Sequence, residues 1–220
     1  MGEEIILEVK NLSKSFGRKK ILKDISFSIK KGNIIGLIGK SGEGKTVLIK
    51  TIIGFLHQNS GKIILKNILK KDIGFSMQDN SLYENLTLKQ NWKYFGKLFG
   101  LKRSQRKEKI NYLLGELSLI EFKKIFVKNL SGGTKKRVDI GCSLLNSPKI
   151  LILDEPFAGL DPELANQLSR FILQLNKQGV TIIISSHRIS ELSRISTQIF
   201  LLKDKKIKEI EKNEIMNIYQ

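Results

Sequence analysis

The chain has 220 residues, 40% of them hydrophobic and 27% charged, with 39 basic against 21 acidic side chains and a net charge of +18. That size and balance fit a single soluble globular domain, and the lone cysteine, Cys142, excludes an internal disulfide or a cysteine metal cluster. Glu3, Glu4 and Glu8 exclude a signal or basic transit peptide at the start. The strongest apolar runs, residues 33–39, 149–153 and 180–186, fall far short of the roughly 20 residues that span a bilayer. The expectation is a cytoplasmic chain with no transmembrane segment, so that any work at a membrane needs a separate partner.

In chain order, residues 5–9, 21–29 and 62–65 read as strands, divided by the turn signals Gly17-Arg18-Lys19-Lys20 and Asn59-Ser60-Gly61. Residues 33–38 are almost continuously apolar, the pattern of a strand covered on both faces. They lead into Gly39-Lys40-Ser41-Gly42-Glu43-Gly44-Lys45-Thr46, after which residues 46–55 read as a helix. A short strand over 73–77 ends at Gln78. From 87 to 126 the apolar spacing changes to threes and fours, as in Trp92, Phe95 and Phe99 and in Ile110, Leu113, Leu114 and Leu117. This predicts a small helical subdomain over about 79–135, whose aromatics are core residues, the leading reading for most of them, or present a docking surface. A helix from Ser131 to 145 precedes a strand over 150–153, a helix over 162–176, a strand over 180–185 and a short helix over 189–195. Two strands, 199–203 and 206–210, close the pattern. Strands alternating with helices imply an α/β domain built on a mostly parallel sheet.

The glycine loop matches Gly-x-x-x-x-Gly-Lys-[Ser/Thr] in full and lies between a strand and a helix, the context its chemistry requires. Glycines let the backbone curl so that several N–H groups face phosphate oxygens, and the helix N-terminus adds positive potential. Lys45 is suited to the β- and γ-phosphates, and Thr46 to Mg²⁺. Asp154 and Glu155 end an apolar strand, on the side of an open α/β sheet where ligands bind. Asp154 is suited to hold Mg²⁺, and Glu155 to polarise or orient an attacking water.

The phosphate loop, Gln78, Leu130-Ser131-Gly132-Gly133, Leu153-Asp154-Glu155-Pro156, Ala158-Gly159-Leu160-Asp161 and His187 stand in the order seen in ABC-type ATPases. The resemblance runs from Ile5 to about Ile210. It implies a P-loop NTPase core with an N-terminal antiparallel β subdomain and a helical subdomain, and a subunit that binds and hydrolyses ATP with Mg²⁺. It also implies head-to-tail pairing with a second copy or a homologous subunit, each ATP lying between the loop of one chain and the Ser-Gly-Gly turn of the other. Phe16 then resembles the aromatic platform under adenine, although a strand-end core Phe is a rival reading. By the same resemblance Gly39, Lys40, Ser41, Gly42, Glu43, Gly44, Lys45 and Thr46 are expected to hold the phosphates. Gln78 matches the glutamine that senses Mg²⁺ and the attacking water. Ser131, Gly132 and Gly133 match the turn that meets the opposite copy's γ-phosphate, Asp161 the cross-dimer aspartate, and His187 the histidine at the γ-phosphate. Position 134 is Thr where the signature commonly has Gln. His57 has no such context and reads as a surface residue.

Residues 78–101, with Tyr83-Glu84-Asn85-Leu86-Thr87 leading into Tyr94-Phe95-Gly96-Lys97-Leu98-Phe99-Gly100-Leu101, resemble exporter subunits that pair with a separate integral membrane subunit on the inner face of the cell membrane. The alternatives are a soluble ABC-type ATPase acting on ribosomes, nucleic acid or a protein assembly, and a lipid-trafficking or cell-division ATPase. The charge bears on this choice. Lysines outnumber arginines by 32 to 7 and isoleucines number 32, a compositional bias. Residues 89–137 nevertheless carry 14 basic and 3 acidic side chains. A solvated biased face is the leading reading, then proximity to an anionic membrane surface, then nucleic acid.

Overall fold

The structure is a computed structural model that describes residues 4–79 and 81–215. Three strands, β1 (Ile5–Phe16), β2 (Lys19–Lys30) and β4 (Ser60–Leu65), form an antiparallel sheet in the order β2-β1-β4. β1 runs well past the expected residue 9. Asn11 takes a positive φ of 48°, and the register with β2 slips between Val9 and Leu12. Such a bulge breaks the alternation that marks a strand in sequence, so the continuation is silent there.

The second sheet contains β3 (Ile34–Ile38), β5 (Ile73–Ser76), β6 (Ile150–Asp154), β7 (Thr181–Ser185), β8 (Gln198–Lys203) and β9 (Lys206–Ile210), ordered β5-β6-β7-β3-β8-β9. All neighbours pair in parallel except β8 and β9, which form a closing hairpin. Alternate residues along each central strand serve two different cores. Ile35, Leu37, Ile152 and Ile183 pack with Leu48, Ile49 and the antiparallel sheet. Ile34, Leu151, Leu153, Ile182 and Ile184 pack with the helices on the opposite face. Both faces being covered is the reason these strands read as unbroken apolar runs.

Six α-helices complete the described chain: α1 (Lys45–Ile52), α2 (Leu88–Leu98), α3 (Arg103–Glu116), α4 (Gly132–Leu144), α5 (Pro162–Lys177) and α6 (Ile189–Ile195). The block expected to be helical over 87–126 is α2 and α3, followed by short 3-10 turns at Glu121–Lys124 and Val127–Asn129. Thr87 and Gln90 cap α2 reciprocally, the Gln90 N–H donating to the Thr87 hydroxyl and the Thr87 N–H to the Gln90 side-chain carbonyl. Trp92 is the anchor of the block. It is fully buried, its indole N–H donates to the Val138 carbonyl at 2.9 Å, and its ring lies against Gly141 of α4. A Cβ at position 141 would stand 2.0 Å from the Trp92 ring, so only glycine lets α2 and α4 approach this closely. Most other aromatics of the block lie at the surface, against the expectation that they are core: Tyr83 and Tyr94 are about half exposed and pack on Phe95, which is partly buried against the core, with centroids 5.0–5.9 Å apart.

Candidate functional site

The parallel register brings the carboxyl ends of β3, β5, β6 and β7 to one edge of the sheet. The loop after β3 turns into α1 at Gly44, which caps the helix with a positive φ of 106°. A side chain is strained at that φ, and a Cβ would also stand 2.9 Å from Ile21. The Lys45 ammonium folds back into the loop and donates to the carbonyls of Gly39 at 2.7 Å and Lys40 at 3.2 Å. Burial draws its pKa below the usual lysine value, against the opposing pull of the Glu155, Asp154 and Glu43 carboxylates.

Asp154 is buried at the end of β6 and held on both oxygens. The Thr46 hydroxyl donates to Oδ2 at 2.9 Å, and the Ser185 hydroxyl donates to Oδ1. Glu155 follows with a positive φ of 52°, a region that side chains rarely occupy. Its backbone N–H donates to the Ser185 carbonyl at 3.0 Å. Its carboxylate meets His187 twice, accepting from the backbone N–H at 3.2 Å and lying 3.3 Å from Nε2. Gln78 projects from the residue pair after β5. Loop residues 41–46 (without Glu43), Gln78, Asp154, Glu155 and His187 thus face a shared cavity of about 220 Å³.

The other expected site residues lie elsewhere. Phe16 is about half exposed at the end of β1, outside the cavity wall, with the Lys14 ammonium 4.9 Å from its ring centroid. Glu43 accepts from the Asp204 N–H at 3.1 Å, and Lys40 is exposed. Ser131 caps α4, accepting from the Thr134 N–H at 3.2 Å while its hydroxyl shares a hydrogen bond with that of Thr134 at 2.9 Å. Asp161 caps α5 by accepting from the Leu164 N–H at 2.9 Å. None of Ser131, Gly132, Gly133 and Asp161 lines the cavity. His57 is exposed, as expected.

Three supporting groups escaped the reading of the sequence. Ser185 fixes Asp154, as described. Lys136, in the second turn of α4, is buried and donates to the carbonyls of Met77 at 2.6 Å and Asp154 at 2.7 Å. Asp139, one turn further, accepts from the Ser76 hydroxyl at 2.6 Å and the Ser81 N–H at 3.3 Å. The available signal was a Lys and an Asp three apart, on one face of a helix that is otherwise largely apolar beyond Arg137.

The protein-family model described as ABC transporter matches residues 22–158, and one described as AAA domain, putative AbiEii toxin, Type IV TA system, matches residues 128–193. The chain is 35% identical over 205 residues to the linearmycin resistance ATP-binding protein LnrL of Bacillus subtilis, covering 90% of this chain and 66% of LnrL. It is 37% identical over 208 residues to the lantibiotic transport ATP-binding protein SrtF of Streptococcus pyogenes, covering 92% of this chain and 89% of SrtF. A solved ATP binding subunit of an ABC transporter is similar to it with a TM-score of 0.87 at 27% identity, over 97% of this chain and 93% of that one.

Proposed function

Since the chain belongs to the ATP-binding proteins of ABC transporters, we propose that it hydrolyses Mg²⁺-ATP in the cavity at the sheet edge to drive an integral membrane subunit, in the outward direction. The observation that carries this reading is the convergence of Lys45, Thr46, Gln78, Asp154, Glu155 and His187, from distant parts of the chain, on one cavity. Loop N–H groups and Lys45 hold the phosphates, and Phe16 stacks under the adenine from outside the cavity. Thr46 and Asp154 are hard oxygen donors already in contact at 2.9 Å, which suits Mg²⁺. Among the described residues no three His, Cys, Asp or Glu side chains form a metal cage. Mg²⁺ takes one or two protein ligands and completes its shell with phosphate oxygens and water. When bound, the ion neutralises charge on the β- and γ-phosphates.

Glu155 orients the attacking water from a carboxylate braced by His187, and Gln78 approaches the same water from β5. Ser131, Gly132, Gly133 and Asp161 act on the nucleotide of a second copy, a reading supported by their position outside their own chain's cavity. No helix among the described residues is long and apolar enough to cross a membrane, and the half-exposed pair Tyr83 and Tyr94 supplies an aromatic face for a membrane subunit. The outward direction is supported by the names of LnrL and SrtF, which speak of resistance and of lantibiotic transport. The deciding experiment is coexpression with a membrane-protein gene adjacent to that of the chain. The expected result is a detergent-stable complex whose Mg²⁺-dependent ATPase activity drives transport in inverted vesicles. Failure to form a complex with any such membrane protein, or a complex whose turnover moves nothing across the vesicle, would sink the transport role, and absence of turnover in chain and complex alike would sink the hydrolytic one.

A further inference from the structure

We infer that Lys136 is a positioning residue that holds the backbone under both Gln78 and Glu155, and so links α4 to hydrolysis in its own chain's cavity. The inference rests on the assignment of Gln78 and Glu155 to the attacking water. Lys136 is only 7% exposed. Burial draws its pKa down, and the surrounding Asp139, Asp154 and Glu155 carboxylates oppose that pull. A cation so placed is retained only where its hydrogen bonds are well met. The acceptors here are the carbonyls of Met77 and Asp154, the residues immediately before Gln78 and Glu155.

The consequence is clearest at Glu155. Its φ of 52° is unfavourable for a residue with a side chain, and such a conformation persists only where surrounding contacts over-determine it. The peptide plane joining Asp154 to Glu155 is gripped on both edges. Lys136 Nζ holds the Asp154 carbonyl at 2.7 Å, and the Ser185 carbonyl holds the Glu155 N–H at 3.0 Å. Loss of the ammonium frees one edge, and the plane can rotate towards an ordinary φ, carrying the carboxylate away from His187.

The segment bearing Gln78 is gripped in the same way. Before it, the Ser76 hydroxyl is tied to Asp139 and the Met77 carbonyl to Lys136; after it, the Ser81 N–H returns to Asp139. Both anchors lie on α4, whose first turn is Ser131-Gly132-Gly133. A displacement of that turn by a second copy's nucleotide is therefore passed, through one rigid helix, to the two carbonyls that set Gln78 and Glu155.

The test compares Lys136→Met and Lys136→Arg with the wild type in the purified full chain, measuring Mg²⁺-ATP turnover, equilibrium ATP affinity and melting temperature. Lys136→Met is expected to lower kcat about 10- to 100-fold, the scale of a misplaced catalytic group. The ATP dissociation constant should stay within about threefold, because the phosphate loop is untouched. Lys136→Arg, which keeps a cation with several donors, is expected to recover most of the turnover. An unchanged kcat in a folded Lys136→Met protein overturns the inference. So does a parallel fall of turnover, affinity and melting temperature that Lys136→Arg leaves unrepaired, since that is the mark of a fold defect. If Lys136→Met yields no folded protein, Lys136→Gln takes its place with the same two outcomes. Wild-type chain without turnover would count against the hydrolytic assignment itself; wild-type turnover with an indifferent Lys136 variant counts against the inference alone.

Discussion

Gly141 and Asp139 lie two residues apart on α4 and do opposite things: one admits a neighbour by lacking an atom, the other holds a neighbour by keeping a charge. Gly141→Ala would push a methyl group to within 2.0 Å of the Trp92 ring. The ring cannot move without losing its indole hydrogen bond to Val138. The expected cost is about 1–3 kcal/mol or more, the range for overpacked cores, and a urea titration would measure it. Burial raises the Asp139 carboxyl pKa, against the opposing effects of the Ser76 hydroxyl, Lys136 and the Ser81 N–H. A carboxyl whose pKa is higher in the folded than in the unfolded state contributes stability that is present below the unfolded value and lost as pH rises through the folded value. The wild type should therefore gain stability relative to Asp139→Asn as pH is lowered from neutral towards the ordinary aspartate range. Paired thermal melts across that range check the sign, because the other carboxylates titrate alike in both proteins.

At the scale of elements, α4 is the piece whose ends and faces have separate duties. Its cap is Ser131, and replacing an N-cap serine by alanine typically costs ~1 kcal/mol. Ser131→Ala would lose both the cap and the hydroxyl that we propose meets the second copy's phosphate, so it cannot separate them. Ser131→Asp can: aspartate caps as well as serine, and its charge repels a phosphate. Its melting temperature should stay near that of the wild type while turnover falls by at least about tenfold, as for loss of a transition-state donor. Equal turnover would show that the Ser131 hydroxyl has no phosphate to meet. Several elements were legible from local pattern alone. The short helix over 189–195 and the strand over 206–210 have the bounds their periodicity and turns indicate. The second half of β1 was not, because the bulge at Asn11 places Lys10 and Asn11 both outward and erases the alternation.

For the whole molecule, the separation of the cavity from Ser131 and Asp161 sets the expected oligomeric behaviour. In the paired arrangement proposed above, that turn serves the nucleotide of the other copy as well as capping α4 in its own chain. Glu155→Gln keeps the side-chain shape and removes the carboxylate, so Mg²⁺-ATP should be bound and not turned over. Light scattering with size-exclusion chromatography is expected to find a dimer in ATP and a monomer in its absence. A variant that stays monomeric at saturating ATP would refute the paired-site arrangement.

What the sequence determined by itself is the chemistry that local spacing encodes. A glycine loop between strand and helix, two carboxylates ending an apolar run and a Ser-Gly-Gly turn are each written within a few consecutive residues, and their order along the chain carried the family resemblance. The folded chain added the couplings. Ser185 reaches Asp154 across 31 residues, Ser76 reaches Asp139 across 63, and Lys136 reaches Met77 across 59. Which strand lies beside which, and which helix crosses above them, depends on the simultaneous burial of both sheet faces rather than on any local periodicity. Only that packing turns a lysine and an aspartate on a helix face into the brace beneath Gln78 and Glu155.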